Sequence, residues 1–263
     1  MYKLEMQDIS YHYPSSQSRS AGIDHISLQI PAGEFCCLLG PSGCGKSTLL
    51  NVLAGLNHPQ SGRLLIDGLV VNGPGLNRAV VFQHYSLFPW LTARQNIVFG
   101  IRQSGQLKDR REQQRLASHY LEKTGLSHAA DQYPGSLSGG MQQRVAIARA
   151  LAMNADILLM DEPFGALDPR TRAELQLLLS RLCQAQQKTV VFVTHHINEA
   201  LLLADRVMIM SPQQLATILP VTLARPRHPE TLLADPAYPT LRRQLLSLFY
   251  HQVADELSED ASL

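Results

Sequence analysis

Short apolar runs separated by turn residues dominate the first third of the chain. They predict β-strands at Leu4–Ser10, Ile26–Ile30, Glu34–Leu39, Gly62–Ile66 and Ala79–Phe82. The Asp67–Gly68 pair and the Gly73–Gly75 segment supply turns. The segment that begins at Lys46 and ends near Gly55 has the pattern of a helix. The first third is therefore predicted to be mostly β-structure with one helix.

The middle of the chain, about Gln83 to Asn154, has a different pattern. Residues 107–125 are charged and rich in glutamine, and their apolar residues fall on one side of a helix. After Gly139 the apolar residues recur at the helical i, i+4, i+7 spacing. We therefore expect a helical subdomain at about residues 84–154.

The last part of the chain alternates strand and helix. The runs "DILLMD" and "KTVVFVTH" are continuously apolar, as expected of parallel strands buried on both faces, and "DRVMIMS" is a further strand. "TRAELQLLLSRLCQAQ" and "INEALLLA" are the helices that cross between strands. A proline-rich segment, Pro220–Thr240, is expected to wrap in extended form before a final helix at Thr240–Leu257. The pattern predicts an α/β protein with a main domain at residues 1–219 and a C-terminal extension at 220–263.

Composition and charge narrow the classes of function. The 263 residues, 45% of them hydrophobic, suffice for one large α/β domain or two small ones. The formal net charge is +1 and no basic stripe is present, so we expect no nucleic-acid partner. The first residues do not have the pattern of a secretory signal, and no window approaches the roughly 20 apolar residues of a membrane span. The four cysteines lack CxxC spacing and are expected to be free thiols in a reducing cytoplasm.

The segment "GPSGCGKST" fits the phosphate-loop pattern G-x-x-x-x-G-K-[ST], and it stands between an apolar strand and a helix. Its residues are Gly40, Pro41, Ser42, Gly43, Cys44, Gly45, Lys46, Ser47 and Thr48. The glycines let the backbone wrap around phosphates, Lys46 is expected to neutralise the β- and γ-phosphates, and Ser47 is expected to ligate Mg²⁺. The default interpretation of Cys44 is that it is a filler, a residue that occupies space in the loop without a chemical role. We also expect its thiol to be partly exposed, reactive towards alkylating reagents and protected by bound nucleotide.

Four polar residues at strand ends complete the predicted site of phosphate chemistry. Asp161 and Glu162 end the apolar strand of "ILLMDEP". Asp161 is expected to hold Mg²⁺ through water, and Glu162 is expected to act as the general base. Gln83 follows the strand "AVVF" and is expected to ligate Mg²⁺ and contact the attacking water. His195 ends the strand "VVFVT" and is expected to donate a hydrogen bond to the γ-phosphate.

Two pairs of neighbouring side chains leave alternatives open. Tyr13 is preferred over Tyr11 as the aromatic residue that stacks on adenine, although an ordinary strand or turn tyrosine is the alternative for both. His196 follows His195 directly, which suggests a metal site. We disfavour that interpretation because adjacent residues leaving a strand point to opposite sides, and because no third ligand is apparent.

The segment "LSGGMQQR", Leu137–Arg144, resembles a second anion site. Ser138 is expected to N-cap a helix that begins at Gly139, which leaves backbone N–H groups and the positive end of the helix dipole facing outward. A capped helix does not need two glycines, and each glycine costs roughly 1 kcal/mol in a helix. We therefore expect a large anion to approach this helix closely.

In order and spacing, these motifs resemble the nucleotide-binding subunits of ATP-binding cassette (ABC) transporters. They are the phosphate loop, Gln83, "LSGGMQQR", "ILLMDEP", Ala166–Asp168 and Thr194–His195. The resemblance implies a P-loop ATPase fold with a mixed core sheet, an antiparallel β subdomain and an α-helical subdomain. It also implies a head-to-tail dimer with a second ATPase subunit, identical or related. In that dimer Ser138, Gly139, Gly140 and Gln142 serve ATP held by the partner subunit, and Asp168 links the two sites.

A finer resemblance is to importers of small oxyanions such as nitrate, sulfonate, taurine or bicarbonate. It is carried by "GPGLNRAVVFQHYSLFPWLTARQNIVFGI" and by the short segment after Met210. It implies two membrane subunits, a solute-binding protein and a peripheral location on the cytoplasmic side of the inner membrane. The apolar residues past Gln83 are Tyr85, Leu87, Phe88, Pro89, Trp90 and Leu91. The alternative is that these residues pack in the core of their own subdomain. The two roles are compatible, and Phe88 and Trp90 are the residues expected to contact a membrane subunit.

Three other functions share part of this pattern. An exporter has the same ATPase motifs, and a relative acting on DNA or the ribosome has the same site. The stretch from His84 to Ser136 is too short for the long coiled coil of the genome-maintenance relatives. The relatives that act in translation usually carry two cassettes in one chain, whereas this chain has one. A phosphate-loop kinase leaves "LSGGMQQR" unexplained.

Overall fold

The computed structural model describes residues 2–14, 22–84 and 86–260, with side chains as far as residue 251. The chain forms two compact units, one made of Met1–Gly75 and Gln186–Leu263 and the other of Leu76–Ala185. The predicted helical subdomain, about residues 84–154, lies inside the second unit.

The elements follow one another in an order that the sequence largely predicts. The first unit begins with β1 (Tyr2–His12), β2 (Gly22–Pro31), β3 (Phe35–Leu39), α1 (Lys46–Ala54), β4 (Ser61–Ile66) and β5 (Leu69–Val70). The second unit contains β6 (Arg78–Val81), α2 (Ala93–Ser104), α3 (Arg110–Lys123), α4 (Gly139–Ala152), β7 (Ile157–Asp161) and α5 (Pro169–Ala185). The chain then returns to the first unit with β8 (Thr189–Val193), α6 (Ile197–Leu203), β9 (Arg206–Ser211), β10 (Gln214–Pro220), α7 (Pro229–Leu232) and α8 (Tyr238–Asp260).

The first unit contains an antiparallel sheet with the strand order β2-β1-β4-β5. Met6 of β1 lies opposite Leu28 on one side and Leu64 on the other, and all three side chains are buried. Asp67 and Gly68 form the two-residue turn between β4 and β5, and both have positive φ angles of 50° and 77°. Positive φ at both positions is the requirement of a type I′ hairpin, which explains why this pair is Asp-Gly.

The mixed sheet of the first unit carries the phosphate loop. Strand β3 pairs in parallel with β8 and with β9, and β10 pairs antiparallel with β9. Every residue of β3 and β8 is buried, as their continuous apolar sequences predict. The fold class expected from the sequence is confirmed, since parallel strands, an antiparallel sheet and a group of helices are all present. Strands β5 and β10 are additions that the sequence did not predict.

The second unit packs three helices beside a parallel strand pair. Strands β6 and β7 pair from Arg78 opposite Ile157 to Val81 opposite Met160. Helices α2, α3 and α4 contact one another. Helix α2 begins with a capping box in which Thr92 and Gln95 bond each other's backbone N–H.

The C-terminal extension ends in the predicted helix. Helix α8, Tyr238–Asp260, begins two residues before the predicted start and is 23 residues long. Between β10 and α8 the chain includes one short helix, α7, whose first residue is Pro229. Among the helices that the structure describes, none has the length and the apolar character to cross a bilayer.

A buried arginine fastens the extension to helix α6. Arg227 is 5% exposed, and its guanidinium donates five hydrogen bonds of 2.5–3.2 Å to backbone carbonyls. Two of these carbonyls, of Leu201 and Ala204, belong to the end of α6. Burial, followed by the neighbouring charge of Arg225, lowers the pKa of Arg227 to about 10, so it remains cationic at neutral pH. The buried cation therefore depends on carbonyl oxygens for its solvation.

We expect Arg227→Met to lower the free energy of unfolding by about 3 kcal/mol, because four carbonyls lose their donor. The free energy is measured by urea denaturation. Arg181→Met is the control, since Arg181 is an exposed arginine of α5, and its effect should stay within about 0.5 kcal/mol. Equal small effects of both substitutions would contradict the role given to Arg227.

Candidate nucleotide-binding site

The phosphate loop connects the buried strand β3 to helix α1, and its backbone requires glycine at positions 40 and 45. Gly45 has a φ of 104°, and a Cβ there would lie 2.6 Å from the carbonyl oxygen of Gly22. A Cβ on Gly40 would lie 2.6 Å from Sγ of Cys44. No side chain caps the first N–H groups of α1, because its N-cap residue is Gly45. The loop therefore presents backbone donors and the positive end of a helix, which is the arrangement that binds phosphate.

Lys46 lies within this loop, as the sequence predicts. Its side chain is 9% exposed, and Nζ donates to the carbonyl oxygens of Gly40 at 2.9 Å and Pro41 at 2.5 Å. Ser42 and Ser47 are exposed, whereas Thr48 is buried. The ammonium group is therefore held at the loop by backbone oxygens that a phosphate oxygen can replace.

The prediction of a partly exposed thiol at Cys44 was wrong. Cys44 is 2% exposed, and its Sγ lies 3.8 Å from Nζ of Lys46. The residue fills the space behind the loop, between Gly40 and the lysine side chain, so an alkylating reagent does not reach it in this conformation. The default interpretation, a filler of the loop, agrees with this position.

The two candidate aromatic residues for adenine lie side by side in the same unit as the loop. The rings of Tyr11 and Tyr13 are 5.1 Å apart and nearly perpendicular. Tyr13 is 38% exposed and Tyr11 is half-buried, and Nδ2 of Asn57 lies 3.4 Å from the Tyr13 hydroxyl. Greater exposure favours Tyr13 for stacking, which stays a prediction.

In the second unit, Gln83 and Glu162 come together. Strands β6 and β7 are parallel neighbours, so the residues that follow them meet at the same edge. Nε2 of Gln83 donates to Oε2 of Glu162 at 3.3 Å. Asp161, the last residue of β7, is 8% exposed. The sequence-based grouping of these three residues thus has a geometric basis.

Glu162 has an unusual backbone conformation for a residue with a side chain. Its φ is 45°, in the left-handed region, which costs roughly 1–2 kcal/mol for a residue other than glycine. Such strain is concentrated at functional sites, where a side chain must be aimed in a fixed direction. The conformation supports a functional interpretation of Glu162 rather than a purely structural one.

Ser138 caps helix α4, as the sequence predicts. Its Oγ accepts a hydrogen bond of 3.3 Å from the backbone N–H of Met141. Gly139 and Gly140 form the start of the helix and are half-buried. Gln142 bonds its own chain, because Nε2 donates to the carbonyl oxygen of Leu137 at 3.2 Å and to that of Pro134 at 3.1 Å. The amide of Gln142 therefore holds the turn that leads into α4.

The structure shows a packing contact that explains why residue 140 is a glycine, and the sequence did not reveal it. A Cβ at this position would lie 3.1 Å from the carbonyl oxygen of Ala166 and 3.4 Å from Cδ2 of Leu167. Helix α4 therefore packs directly on the segment that leads to Asp168. The glycine permits this close packing whether or not an anion approaches the helix.

Asp168 is an exposed carboxylate at the start of α5. Its Oδ1 accepts a hydrogen bond of 3.0 Å from the backbone N–H of Thr171. Hydrogen bonds from the side chain and the backbone of Thr171 lower the pKa of Asp168. This residue is therefore ionised at neutral pH and available at the surface.

The two histidines do not point to opposite sides, as the sequence argument assumed. Their rings are 4.0 Å apart, and both residues are exposed. Strand β8 ends at Val193 and His196 is already the N-cap of α6, so the alternation of a strand does not extend to them. Among the residues that the structure describes, no group of three or more His, Cys, Asp or Glu side chains has the arrangement of a metal site.

The aromatic segment after Gln83 divides into a packed residue and an exposed one. The Phe88 ring lies 4.6 Å from Phe99 and 5.5 Å from Trp90, with the guanidinium of Arg149 5.8 Å from its centre. Trp90 is 69% exposed. Tyr85 of this segment lies outside the described residues. The segment thus combines packing within its own unit with one large exposed side chain.

Sequence reasoning missed the residue that fixes this segment. Asn96 of α2 is fully buried, and its side chain bonds the backbone of Phe88, Leu91 and Thr92. The available signal was the T-x-x-Q capping box that opens α2, which locates the helix and the turn before it. With that helix assigned, a polar residue on its apolar side would have been a candidate for this role.

Comparisons with known proteins agree with this geometry. The family model described as "ABC transporter" matches residues 23–165. The nitrate import ATP-binding protein NrtD of Synechococcus elongatus is 43% identical over 256 residues, which cover 96% of this chain and 93% of that protein. The bicarbonate transport ATP-binding protein CmpD of Synechocystis sp. is 39% identical, covering 96% and 91%.

A solved structure shares the fold at a lower identity. It is the dimeric ATP-binding cassette MJ0796 in a post-hydrolysis state bound to ADP and phosphate, with a TM-score of 0.77 and 33% identity. The match covers 84% of this chain and all of that one. Since the family model matches more than half of the chain and relatives match nearly all of it, this protein belongs to the ABC transporter family and is one of its ATP-hydrolysing cassettes.

Proposed function

We propose that the protein powers the import of a small oxyanion across a cell membrane. The observation that carries this proposal is full-length similarity to two proteins named for nitrate import and bicarbonate transport. Nitrate and bicarbonate are both small planar oxyanions with a single charge. We therefore propose this class of solute rather than one of the two ions. Membrane subunits and a solute-binding protein would determine which oxyanion is carried.

The residues present fit Mg²⁺ together with ATP. Gln83 supplies an amide oxygen and Ser47 an exposed hydroxyl, and the carboxylate of Asp161 would hold the ion through water; Mg²⁺ prefers such oxygen ligands and usually keeps several waters. The bound ion supplies neutralisation of the phosphate charge. Lys46 binds the β- and γ-phosphates, exchanging its hydrogen bonds to the loop carbonyls for phosphate oxygens.

Glu162 acts as the general base in this proposal. Gln83 donates to one carboxylate oxygen of Glu162, which orients the group, and the carboxylate accepts a proton from the attacking water. His195 donates a hydrogen bond to the γ-phosphate. Tyr13 stacks on the adenine.

The second half of the site comes from a partner subunit in a head-to-tail dimer. Ser138, Gly139 and Gly140 offer the N-terminus of α4 to ATP on the partner, and Gln142 holds the turn before it. Asp168, ionised and exposed, joins the two sites. The packing of Gly140 on Ala166 places the start of α4 beside the segment that leads to Asp168.

The exposed Trp90 and the neighbouring Phe88 form the surface that receives a membrane subunit. The protein is then peripheral, on the cytoplasmic side of the inner membrane. The experiment that tests the function is purification of the intact complex from membranes, with identification of its subunits and of the solute carried by the binding protein. An exporter would lack the binding protein.

Glu162→Gln is expected to lower ATP turnover at least about 100-fold, because the amide cannot accept the proton, while ATP binding persists. The variant should accumulate as an ATP-bound dimer in size-exclusion chromatography. Glu174→Gln, an exposed glutamate of α5 that pairs with Arg170, is the matched control and should keep wild-type turnover. Wild-type turnover in Glu162→Gln would show that the base is another residue.

Gly140→Asp is expected to bind ATP through its intact phosphate loop but to form no dimer and show no measurable hydrolysis, because the carboxylate repels the partner's phosphates. Gly140→Ala separates this effect from packing, since it adds the Cβ 3.1 Å from Ala166 without charge. We expect the alanine variant to retain dimerisation with reduced turnover. Nucleotide binding, dimerisation and turnover are measured for each. Normal hydrolysis by Gly140→Asp would rule out the two-chain site.

Trp90→Ala is expected to leave the ATPase rate and the melting temperature of the isolated subunit unchanged, because the side chain is 69% exposed. Recovery of the subunit with the membrane subunits in co-purification should fall at least about tenfold, as for an exposed aromatic anchor of an interface. Tyr133→Ala is the control, since Tyr133 is an aromatic residue of the same unit that is 52% exposed. Equal recovery of both variants would place the interface elsewhere.

A further inference from the structure

A cleft lies between helices α6 and α8 in the first unit, away from the phosphate loop in the sequence. Its volume is about 550 Å³, within the range of small-molecule sites. The lining residues are Asn198, Leu233, Tyr238, Pro239, Arg242, Arg243 and Leu246. The cleft is therefore lined by both apolar and cationic side chains. Three of these positions are apolar, and two are neighbouring arginines.

The polar groups of the cleft are mostly N–H donors. The guanidinium of Arg243 has no hydrogen bond or ion pair with any side chain among the described residues, and Arg242 contacts only Asn198 through Nε. The oxygen of Asn198 is occupied twice, by Tyr238 Oη at 2.9 Å and Arg242 Nε at 3.2 Å. None of the residues that the structure describes around the cleft carries a carboxylate. Two cations without a counter-charge, beside apolar walls, match a ligand with an anionic head and an apolar body.

One of these side chains, Asn198, belongs to the first turn of α6, three residues after His195. Asn198 is the second residue of α6, and His196 is the N-cap of that helix. The first turn is held further by Thr194, whose Oγ1 donates to Glu199 at 2.5 Å and accepts from the N–H of His196 at 3.0 Å. The C-terminal extension therefore bonds the start of α6 through Tyr238 and Arg242.

The end of α6 is fixed more firmly than its start. Arg227 donates to the carbonyl oxygens of Leu201 and Ala204, and Arg225 donates to that of Leu203 at 2.6 Å. Arg227 is buried, whereas Asn198 and Arg242 are exposed. A change in the hydrogen bonds of Arg242 therefore acts on the first turn of α6, which directly follows the histidines, and leaves the bonds of Arg225 and Arg227 to the end of the helix intact.

We propose that this cleft binds a small molecule with a phosphate or carboxylate head and an apolar body, and that its binding slows ATP hydrolysis. The anionic head pairs with Arg243 and draws Arg242 away from Asn198, which releases one of the two bonds by which the C-terminal extension holds Asn198 at the start of α6. The binding step depends only on the residues that line the cleft. The effect on hydrolysis rests on the proposed role of His195.

The binding step is tested with phenyl phosphate, which joins a dianionic head to an apolar ring. Isothermal titration calorimetry uses the full chain saturated with Mg-ADP, so that the phosphate loop does not take up the probe. We expect saturable binding that weakens at least tenfold in Arg243→Gln and is unchanged in Arg181→Gln, an exposed arginine of α5. Equal affinity in the wild type and both variants, or no binding to any, overturns the site.

Two further probes define the ligand. Inorganic phosphate lacks the apolar body, so it should bind at least tenfold more weakly than phenyl phosphate, and equal binding would overturn the part given to Leu233, Pro239 and Leu246. Benzoate keeps the ring and replaces the phosphate with a carboxylate. Whichever of benzoate and phenyl phosphate binds more tightly identifies the head group, and binding of either depends on Arg243.

The coupling step is tested by ATP turnover at saturating Mg-ATP with and without saturating phenyl phosphate. We expect turnover of the wild type to fall about fivefold, within the usual range of coupling between sites, and turnover of Asn198→Ala not to respond. An unchanged wild-type rate with the probe bound overturns the coupling. A separate variant, His195→Ala, tests the role of His195 in hydrolysis. Normal turnover in this variant would show that the proposed function of His195 is wrong. The calorimetric result for binding in the cleft does not depend on that outcome.

Discussion

Parallel strand pairing is the constraint on which the placement of the functional residues depends. Within each unit, the carboxyl ends of parallel neighbours reach the same sheet edge. In the first unit this places the phosphate loop after β3 and Thr194–His195 after β8, and in the second it places Gln83 after β6 and Glu162 after β7. Because these strands are buried on both faces, a shift by one residue would exchange the side chains that pack on the two faces.

The local part of this arrangement could be predicted from the sequence. The glycines of the phosphate loop, the cap of α4 by Ser138 and the acidic end of β7 are set by residues within a few positions of each other. The exposure of Cys44 and the contact of Gly140 with Ala166 were not predictable in this way, because they depend on residues that fold next to them. The same holds for the two histidines, where the alternation rule stopped applying once the chain left β8.

Gly140 shows how one residue meets two demands. In the sequence, its cost in a helix suggested that a ligand must come close. In the structure, the same chain comes close, through the carbonyl oxygen of Ala166 and the side chain of Leu167. Both reasons disfavour a side chain, so the presence of glycine alone does not distinguish a binding site from a packing contact. Only the comparison of a neutral with a charged replacement separates them, since packing responds to volume and anion binding responds to charge.

The arginines of the C-terminal extension follow the same logic of burial. Arg227 is enclosed and has its donors directed at carbonyls, so its charge is used in joining the end of α6 to the start of the extension. Arg242 and Arg243 are exposed, and together they make one hydrogen bond to a side chain within the described residues. A charged group whose hydrogen bonds are all made by the protein stabilises the fold. A charged group that faces water beside apolar residues can instead bind a ligand, which replaces the water. The extension therefore holds the end of α6 rigidly and leaves its start, next to the histidines, open to adjustment.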